Sequence, residues 1–337
     1  MRKAHVVKAG MLGLVLLLEI EAASADVEYV YTYTTLDAPG TAGRGDSYTE
    51  LVGIYNSGQI VGDVFGPSSS SGFLYSGGSF TTIADPDQVL YPSTVVYGIN
   101  DSGQIVGASS SRSFIYSNGS FTTFEVPGSE FTTPFGINDN GQIVGTFLAA
   151  GIVSQEGFLY TDGSFTAFAD PSAVGATYPQ GINNRGQIVG YFEGPARPDG
   201  PIPNLNNNYG FVSADGNFTT IAAPDGGAFY PAGINDNGQI VGYYGGYLYS
   251  DGNFTPIQDP NGTLTFPMAV NDNGQIVGYF VGNDGYSHGF LATPTAVPEP
   301  RTLPIVSGSL MFLLGLGYRH KSTANRRILA ATITQRF

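Results

Sequence analysis

The side chains best suited to chemistry in this chain are oxygen donors set at a fixed spacing. Asn138, Asp139 and Asn140 stand in a row before Gly141, and a run of that kind can contribute to a calcium loop. An EF-hand loop, however, needs acids at alternating positions and a distant bidentate Glu, and neither follows here. The run also recurs. Segments of the form Gly-Ile-Asn-Asp-x-Gly-Gln-Ile-Val-Gly begin at Gly53, Gly98, Gly136, Gly181, Gly233 and Ala269, with turn glycines Gly58, Gly103, Gly141, Gly186, Gly238 and Gly274. Asn and Asp suit the opening of a type I turn, and the glycine supplies the positive φ that completes a G1 bulge. Hairpin chemistry therefore accounts for the run. No metal ligands are assigned, and no cofactor is implied beyond the option of calcium at these loops.

Other chemistries are narrowed by counting. The chain has no cysteine, which excludes a disulfide framework and thiolate catalysis. Between residues 26 and 293 the one histidine is His288, and no Gly-x-Ser-x-Gly elbow accompanies it. It reads as a surface or core histidine rather than a base, and a histidine-rich zinc site is excluded by the same count. Glycoside hydrolysis needs paired carboxylates. Glu28, Glu50, Glu125, Glu130, Glu156 and Glu193 occupy non-equivalent positions, and no pair stands out. The expected protein is not an enzyme, with a carbohydrate-active glycosidase or lyase using carboxylates as the alternative. The same span holds 24 Asp and Glu against Arg44, Arg112, Arg185 and Arg197 and no lysine. A body this acidic repels polyanions, so nucleic acid is not expected as a partner.

The turn glycines are 45, 38, 45, 52 and 36 residues apart, a period that indicates repeated supersecondary units. Each unit reads as four strands in two tandem hairpins. The first hairpin joins Gly-Ile-Asn to Gln-Ile-Val-Gly. The second, as in Gly157-Phe158-Leu159-Tyr160-Thr161 and Ser164-Phe165-Thr166-Ala167-Phe168, turns at Asp162-Gly163, a dipeptide suited to a two-residue type I′ turn. Four antiparallel strands in about 44 residues make one propeller blade. The sixth unit stops after its third strand, at Gly289-Phe290-Leu291, and a matching fourth strand stands at Tyr31 to Pro39. Sharing one blade between the termini closes a ring and removes exposed sheet edges. The predicted fold is all-β, a six-bladed β-propeller closed by the N-terminal strand, with a β-solenoid as the alternative.

These units resemble the HAF-type extracellular repeats of bacteria, in which the same decapeptide recurs with a Gly-Phe-Leu-Tyr segment. The resemblance covers residues 29–293 and implies a secreted repeat protein. Copy one departs from it at Tyr55-Asn56, copy four at Asn184-Arg185 and copy six at Ala269-Val270.

The ends of the chain suggest export. Arg2, Lys3 and Lys8 precede the apolar run Ala9 to Leu18, and Ala23-Ser24-Ala25 follows, so residues 1–25 read as a signal peptide. Residues 26–293 form the repeat domain and residues 294–302 a linker. Residues 303–318 form an apolar segment, about 24 Å long as a helix, and residues 319–337 a basic tail that stays cytoplasmic. Val297-Pro298-Glu299-Pro300, the apolar segment and the Arg326-Arg327 cluster resemble the PEP-CTERM sorting signal of Gram-negative bacteria. Ten residues follow the arginine pair here. The resemblance implies an exosortase-type processing enzyme as partner, a transient membrane anchor and a destination at the cell surface or beyond it.

In such a ring the tight turns share one face and the longer connections share the other, which carries the length variation. Binding groups usually sit on such loops. The connections entering each blade carry Tyr91, Tyr178, Tyr230 and Phe266, which approach the central mouth if the Gly-Ile-Asn strand is innermost. They could stack on sugar rings beside carboxylates, or simply pack between blades. The expected role is a non-catalytic surface or matrix protein that binds exopolysaccharide or surface proteins.

Overall fold

A computed structural model describes residues 29–41, 47–87, 93–110, 112–152, 154–195, 208–224, 229–243 and 245–296. The signal peptide, linker, sorting motif (Val297, Pro298, Glu299, Pro300, Arg326, Arg327) and tail lie outside the described residues, and so does Tyr91.

The described residues form six four-stranded antiparallel sheets arranged as a six-bladed β-propeller. Blade 1 is β2(Tyr48–Ile54), β3(Ile60–Phe65), β4(Ser70–Ser76) and β5(Ser79–Ile83). Blade 2 is β6(Thr94–Ile99), β7(Ile105–Ser109), β8(Arg112–Ser117) and β9(Ser120–Phe124). Blade 3 is β10(Ser129–Ile137), β11(Ile143–Ala149), β12(Glu156–Thr161) and β13(Ser164–Phe168). Blade 4 is β14(Thr177–Ile182), β15(Ile188–Glu193), β16(Asn208–Ala214) and β17(Asn217–Ile221). Blade 5 is β18(Pro231–Ile234), β19(Ile240–Gly242), β20(Tyr247–Ser250) and β21(Asn253–Pro256).

Blade 6 combines both ends of the ring: β22(Gly262–Val270), β23(Ile276–Gly282) and β24(Ser287–Ala296) are completed by β1(Tyr29–Thr35). β1 pairs antiparallel with β24 from Tyr29 opposite Ala296 to Thr35 opposite Phe290. The N-terminal strand thus closes the last blade, and the solenoid alternative is set aside.

Local chemistry explains each hairpin. In the first turn the Gly141 N–H donates to the Asn138 carbonyl at 3.0 Å and the Asn138 N–H to the Gln142 carbonyl at 3.1 Å, and Gly141 has φ +73. This is the expected type I turn with a G1 bulge. The second turn has positive φ at both central residues, Asp162 at 50 and Gly163 at 84, as type I′ demands.

The core lies between blades rather than within one. Val61 and Ile83 of blade 1 pack with Val96, Ile99, Ile105 and Phe114 of blade 2, and analogous layers fill the other junctions. Gly-Ile-Asn needs its glycine for this approach. A Cβ on Gly136 would lie 3.0 Å from the Gln180 carbonyl of the next blade, and one on Gly233 would lie 2.9 Å from that of Met268.

Candidate functional site

The two ends of the ring axis carry different chemistry. At the tight-turn end a cavity of about 80 Å³ is lined by the six copies of one tripeptide, residues 54–56, 99–101, 137–139, 182–184, 234–236 and 270–272. Each turn asparagine organises its own hairpin and reaches the next blade. Asn138 Oδ1 accepts from the Asn140 and Gln142 N–H groups at 3.1 and 3.0 Å, while its Nδ2 donates to the Asn183 carbonyl at 2.9 Å. Asn100, Asn183, Asn235 and Asn271 repeat the interblade bond at 2.8–3.2 Å.

One residue further on, a second set closes completely round the axis. The N–H groups of Asn56, Asp101, Asp139, Asn184, Asp236 and Asp272 each donate to the side-chain oxygen of the next member. Asn56 and Asn184 stand on opposite sides of the ring. Their amides bridge Asp101 to Asp272 at 2.7 and 2.8 Å, and Asp139 to Asp236 at 2.6 and 2.9 Å. The departures of copies one and four from Asp thus put two amide donors among four carboxylates, where acids alone would only repel. Sequence reading assigned the run to its own hairpin and missed that it joins the blades.

At the loop end, strand register pairs the start of each first strand with the residue after Ile-Val-Gly. Blade 4 pairs Tyr178 with Tyr191, blade 5 brings the Tyr243 N–H to the Tyr230 carbonyl at 3.2 Å, and blade 6 pairs Phe266 with Tyr279. These rings touch one another. Tyr178 and Tyr191 stack at 4.7 Å, Tyr230 meets Tyr191 edge-on at 4.9 Å and lies tilted against Tyr243 at 5.3 Å, and Phe266 stacks on Tyr279 at 4.8 Å. A hydrogen bond joins the Tyr191 and Tyr243 hydroxyls across blades. All six rings are half-buried, so each offers both packing and surface.

Three of the expected site residues, Tyr178, Tyr230 and Phe266, therefore lie in one arc over blades 4 to 6. The arc has polar anchors. The Tyr178 hydroxyl donates to Glu193 Oε1 at 3.1 Å, and Asn208 Nδ2 donates to the Tyr230 hydroxyl at 3.3 Å. Burial, then the neighbouring Glu193 charge, pushes the Tyr178 hydroxyl up to about 12, so it stays protonated as a donor. The register also sharpens the alignment of blade 2. Val95, opposite Ala108, holds the place of Tyr178, so Tyr91 is not the equivalent residue.

Blade 1 differs again. Glu50 stands directly opposite Asp63 on the adjacent strand, an arrangement that puts Cβ atoms about 4.5–5.5 Å apart. Blade 3 has Thr133 and Thr146 at these places. Asp63 is 1% exposed, and its Oδ1 accepts from the Val96 N–H of blade 2 at 3.0 Å. Burial pushes the Glu50 carboxyl up to about 7. Burial also raises Asp63 well above the usual range, with the Glu50 charge adding to it. The expectation that no acid pair stands out is thus corrected. The two residues are 13 positions apart, and only the hairpin register brings them together.

His288 also has a specific setting. Its Nδ1 lies 2.8 Å from Asp37 Oδ2 and its Nε2 3.1 Å from Asp284 Oδ2, and it stacks on Phe280. Burial lowers its pKa, but the hydrogen bonds and charges of the two carboxylates outweigh burial and raise it overall. Asp37 follows β1 and also accepts from the Gly289 N–H at 3.1 Å, so this histidine pins the closing strand.

The loop end also gathers exposed apolar side chains, among them Phe131, Ile152, Val174 and Leu264. Among the described residues no group of three or more His, Asp or Glu side chains could hold a metal, and no helix is long and apolar enough to cross a membrane.

No family model and no curated relative matches the sequence. Solved structures do resemble it. A gluconolactonase from Xanthomonas campestris, XC5397, aligns over 79% of this chain and 90% of its own, with a TM-score of 0.51 and 13% identity. A protein of unknown function from Dyadobacter fermentans aligns over 80% and 99%, with a TM-score of 0.50 and 13% identity. At that identity the likeness extends to the propeller fold alone.

Proposed function

We propose that this chain is an exported, non-catalytic propeller that binds exopolysaccharide at the cell surface through its loop end. It is sorted there by its PEP-CTERM-like segment and an exosortase-type partner, and its repeats are of the HAF type. The observation that carries the binding reading is the aromatic arc of blades 4 to 6. Half-buried tyrosines with hydroxyls anchored to Glu193 and Asn208 offer flat apolar faces beside hydrogen-bonding groups, the combination that sugar rings require. The acidic body favours neutral or cationic glycans over polyanions.

A glycan array probed with the purified exported protein tests this. Retention of a subset of glycans is expected, with loss in Tyr178→Ala and Tyr230→Ala and a melting temperature lowered by no more than about 4 °C. Equal retention in wild type and variants overturns the reading. A second reading, a glycan-cleaving enzyme, draws on the facing acids Glu50 and Asp63. It requires new reducing ends from a bound glycan and their loss in Glu50→Gln.

A further inference from the structure

The turns that build the blades also place a reactive dipeptide at chosen points of the ring. Asn-Gly pairs a side-chain amide carbon with a backbone nitrogen that carries no side chain to hinder an attack on it. The chain has five: Asn118-Gly119, Asn140-Gly141, Asn237-Gly238, Asn261-Gly262 and Asn273-Gly274. The sequence offers them as equals, and the structure separates them.

Four of the five are tied down. The N–H groups of Gly141, Gly238 and Gly274 donate to the carbonyls of Asn138, Asn235 and Asn271 at 3.0, 3.1 and 2.9 Å, and that of Gly262 donates to the Asp259 carbonyl at 3.1 Å. Around the axis the amides are held as well. Nδ2 of Asn140, Asn237 and Asn273 donates to the carbonyls of Asn184, Asp272 and Asn56 in the next blade, at 3.1, 2.9 and 2.9 Å.

Asn118-Gly119 stands apart. It is the exposed tip of the β8–β9 hairpin, where Ser117 faces Ser120. Among the described residues the Gly119 N–H donates to no acceptor, and the Asn118 amide has only a long bond, 3.4 Å, to the neighbouring Ser117 hydroxyl. Blades 3, 4 and 5 hold Asp162, Asp215 and Asp251 at this place with φ 50, 51 and 50, against 50 for Asn118. An aspartate therefore fits the blade 2 turn. Those Asp-Gly turns share the geometry but present a carboxylate, a poorer electrophile than an amide.

We propose that Asn118 is a site of spontaneous deamidation, through which blade 2 gains negative charge as the protein ages. The Gly119 nitrogen gives up its proton and bonds to Asn118 Cγ, the Cγ–Nδ2 bond breaks, and the amide nitrogen leaves as ammonia. Water then opens the succinimide ring. Addition at Cγ returns the ordinary main chain with an aspartate, which keeps the turn. Addition at the backbone carbonyl carbon routes the chain through Cβ and Cγ as an isoaspartate. The longer backbone no longer fits a two-residue type I′ turn, so the pairing of β8 with β9 loosens.

The test is peptide mapping by mass spectrometry after incubation of the full exported chain, folded, at mildly alkaline pH. Asn118 should deamidate roughly 10-fold faster than Asn140, Asn237, Asn261 and Asn273, because each of those must first open locally and break its hydrogen bonds. In the urea-unfolded chain all five should react at similar rates. Asn118→Asp should melt like the wild type and migrate on ion exchange with the aspartate product. Equal rates at Asn118 and the axial asparagines in the folded chain, or faster loss at any of the other four, overturns the inference. A lead for Asn118 that is just as large in the unfolded chain also overturns it, since the hairpin would then not be the cause.

Discussion

At the tight-turn end of the ring nearly every blade repeats the same residues in the same bonds, whereas at the loop end neighbouring blades hold aromatic pairs, small residues or acids. The first pattern is what a structural role produces. Every junction must be closed, so Asn138 and Asn183 make the same interblade bond at 2.9 and 3.0 Å. The second pattern is what the proposed glycan binding requires, since a glycan has no sixfold symmetry and different blades must meet different groups. Departures from the repeat therefore have opposite meanings at the two ends. At the tight-turn end Asn56 and Asn184 complete the ring by bridging carboxylates. At the loop end Glu50 and Asp63 put two facing acids where blades 2 and 3 hold Val95 with Ala108 and Thr133 with Thr146.

The comparison can be broken most directly by perturbing packing near the tight-turn end. Gly136→Val drives a side chain into the Gln180 backbone of the next blade and should destabilise the ring by about 3 kcal/mol, read as the urea midpoint, with refolded protein keeping its glycan profile. Asn183→Ala removes bonds within its hairpin and to Asn235 and should cost about 2 kcal/mol, again sparing retention. Tyr178→Ala should do the reverse, with a stability loss near 1 kcal/mol and retention abolished. If Asn183→Ala and Tyr178→Ala behave alike, the division of labour between the ends is wrong.

A smaller effect separates the acids from the scaffold. Glu50 has a folded pKa of about 7, above its unfolded value, so the folded state holds its proton more tightly. The stability this gives is fully present below about pH 4.3 and is lost as pH rises through about 7. Glu50→Gln should therefore raise stability at pH 8 by about 1–2 kcal/mol, measured by thermal melting, and flatten the profile between pH 5 and 7. The smallest effect concerns closure of the ring. The raised His288 pKa gives stability that is present below about pH 6.5 and is lost as pH rises through the folded value. His288→Ala should cost about 1 kcal/mol at pH 5.5 and less at pH 8. Hydrogen exchange in β1 should show the change first.

Much of the architecture was legible because turns are local. Asp162-Gly163 and Asn138 to Gly141 specify their φ values over two to four residues, and six copies leave little doubt about the period. The split blade was legible from a strand missing at one end and present at the other. The arc was half legible, since Tyr178, Tyr230 and Phe266 could be named but their stacking partners Tyr191, Tyr243 and Tyr279 looked like ordinary strand aromatics. Tyr91 was chosen by its Tyr-Pro motif, and register gives its place to Val95.

The sequence by itself determined the blade, the number of blades and the way the ring closes, because hydrophobic alternation and turn chemistry act between near neighbours. Tertiary structure alone decided which side chains meet across blades: the Asn and Asp ring round the axis, the pairing of Glu50 with Asp63, and the hold of Asp37 on His288, 251 residues away. Those contacts depend on strand register and on the angle between blades, which follow from packing the whole ring at once and leave no local pattern to read.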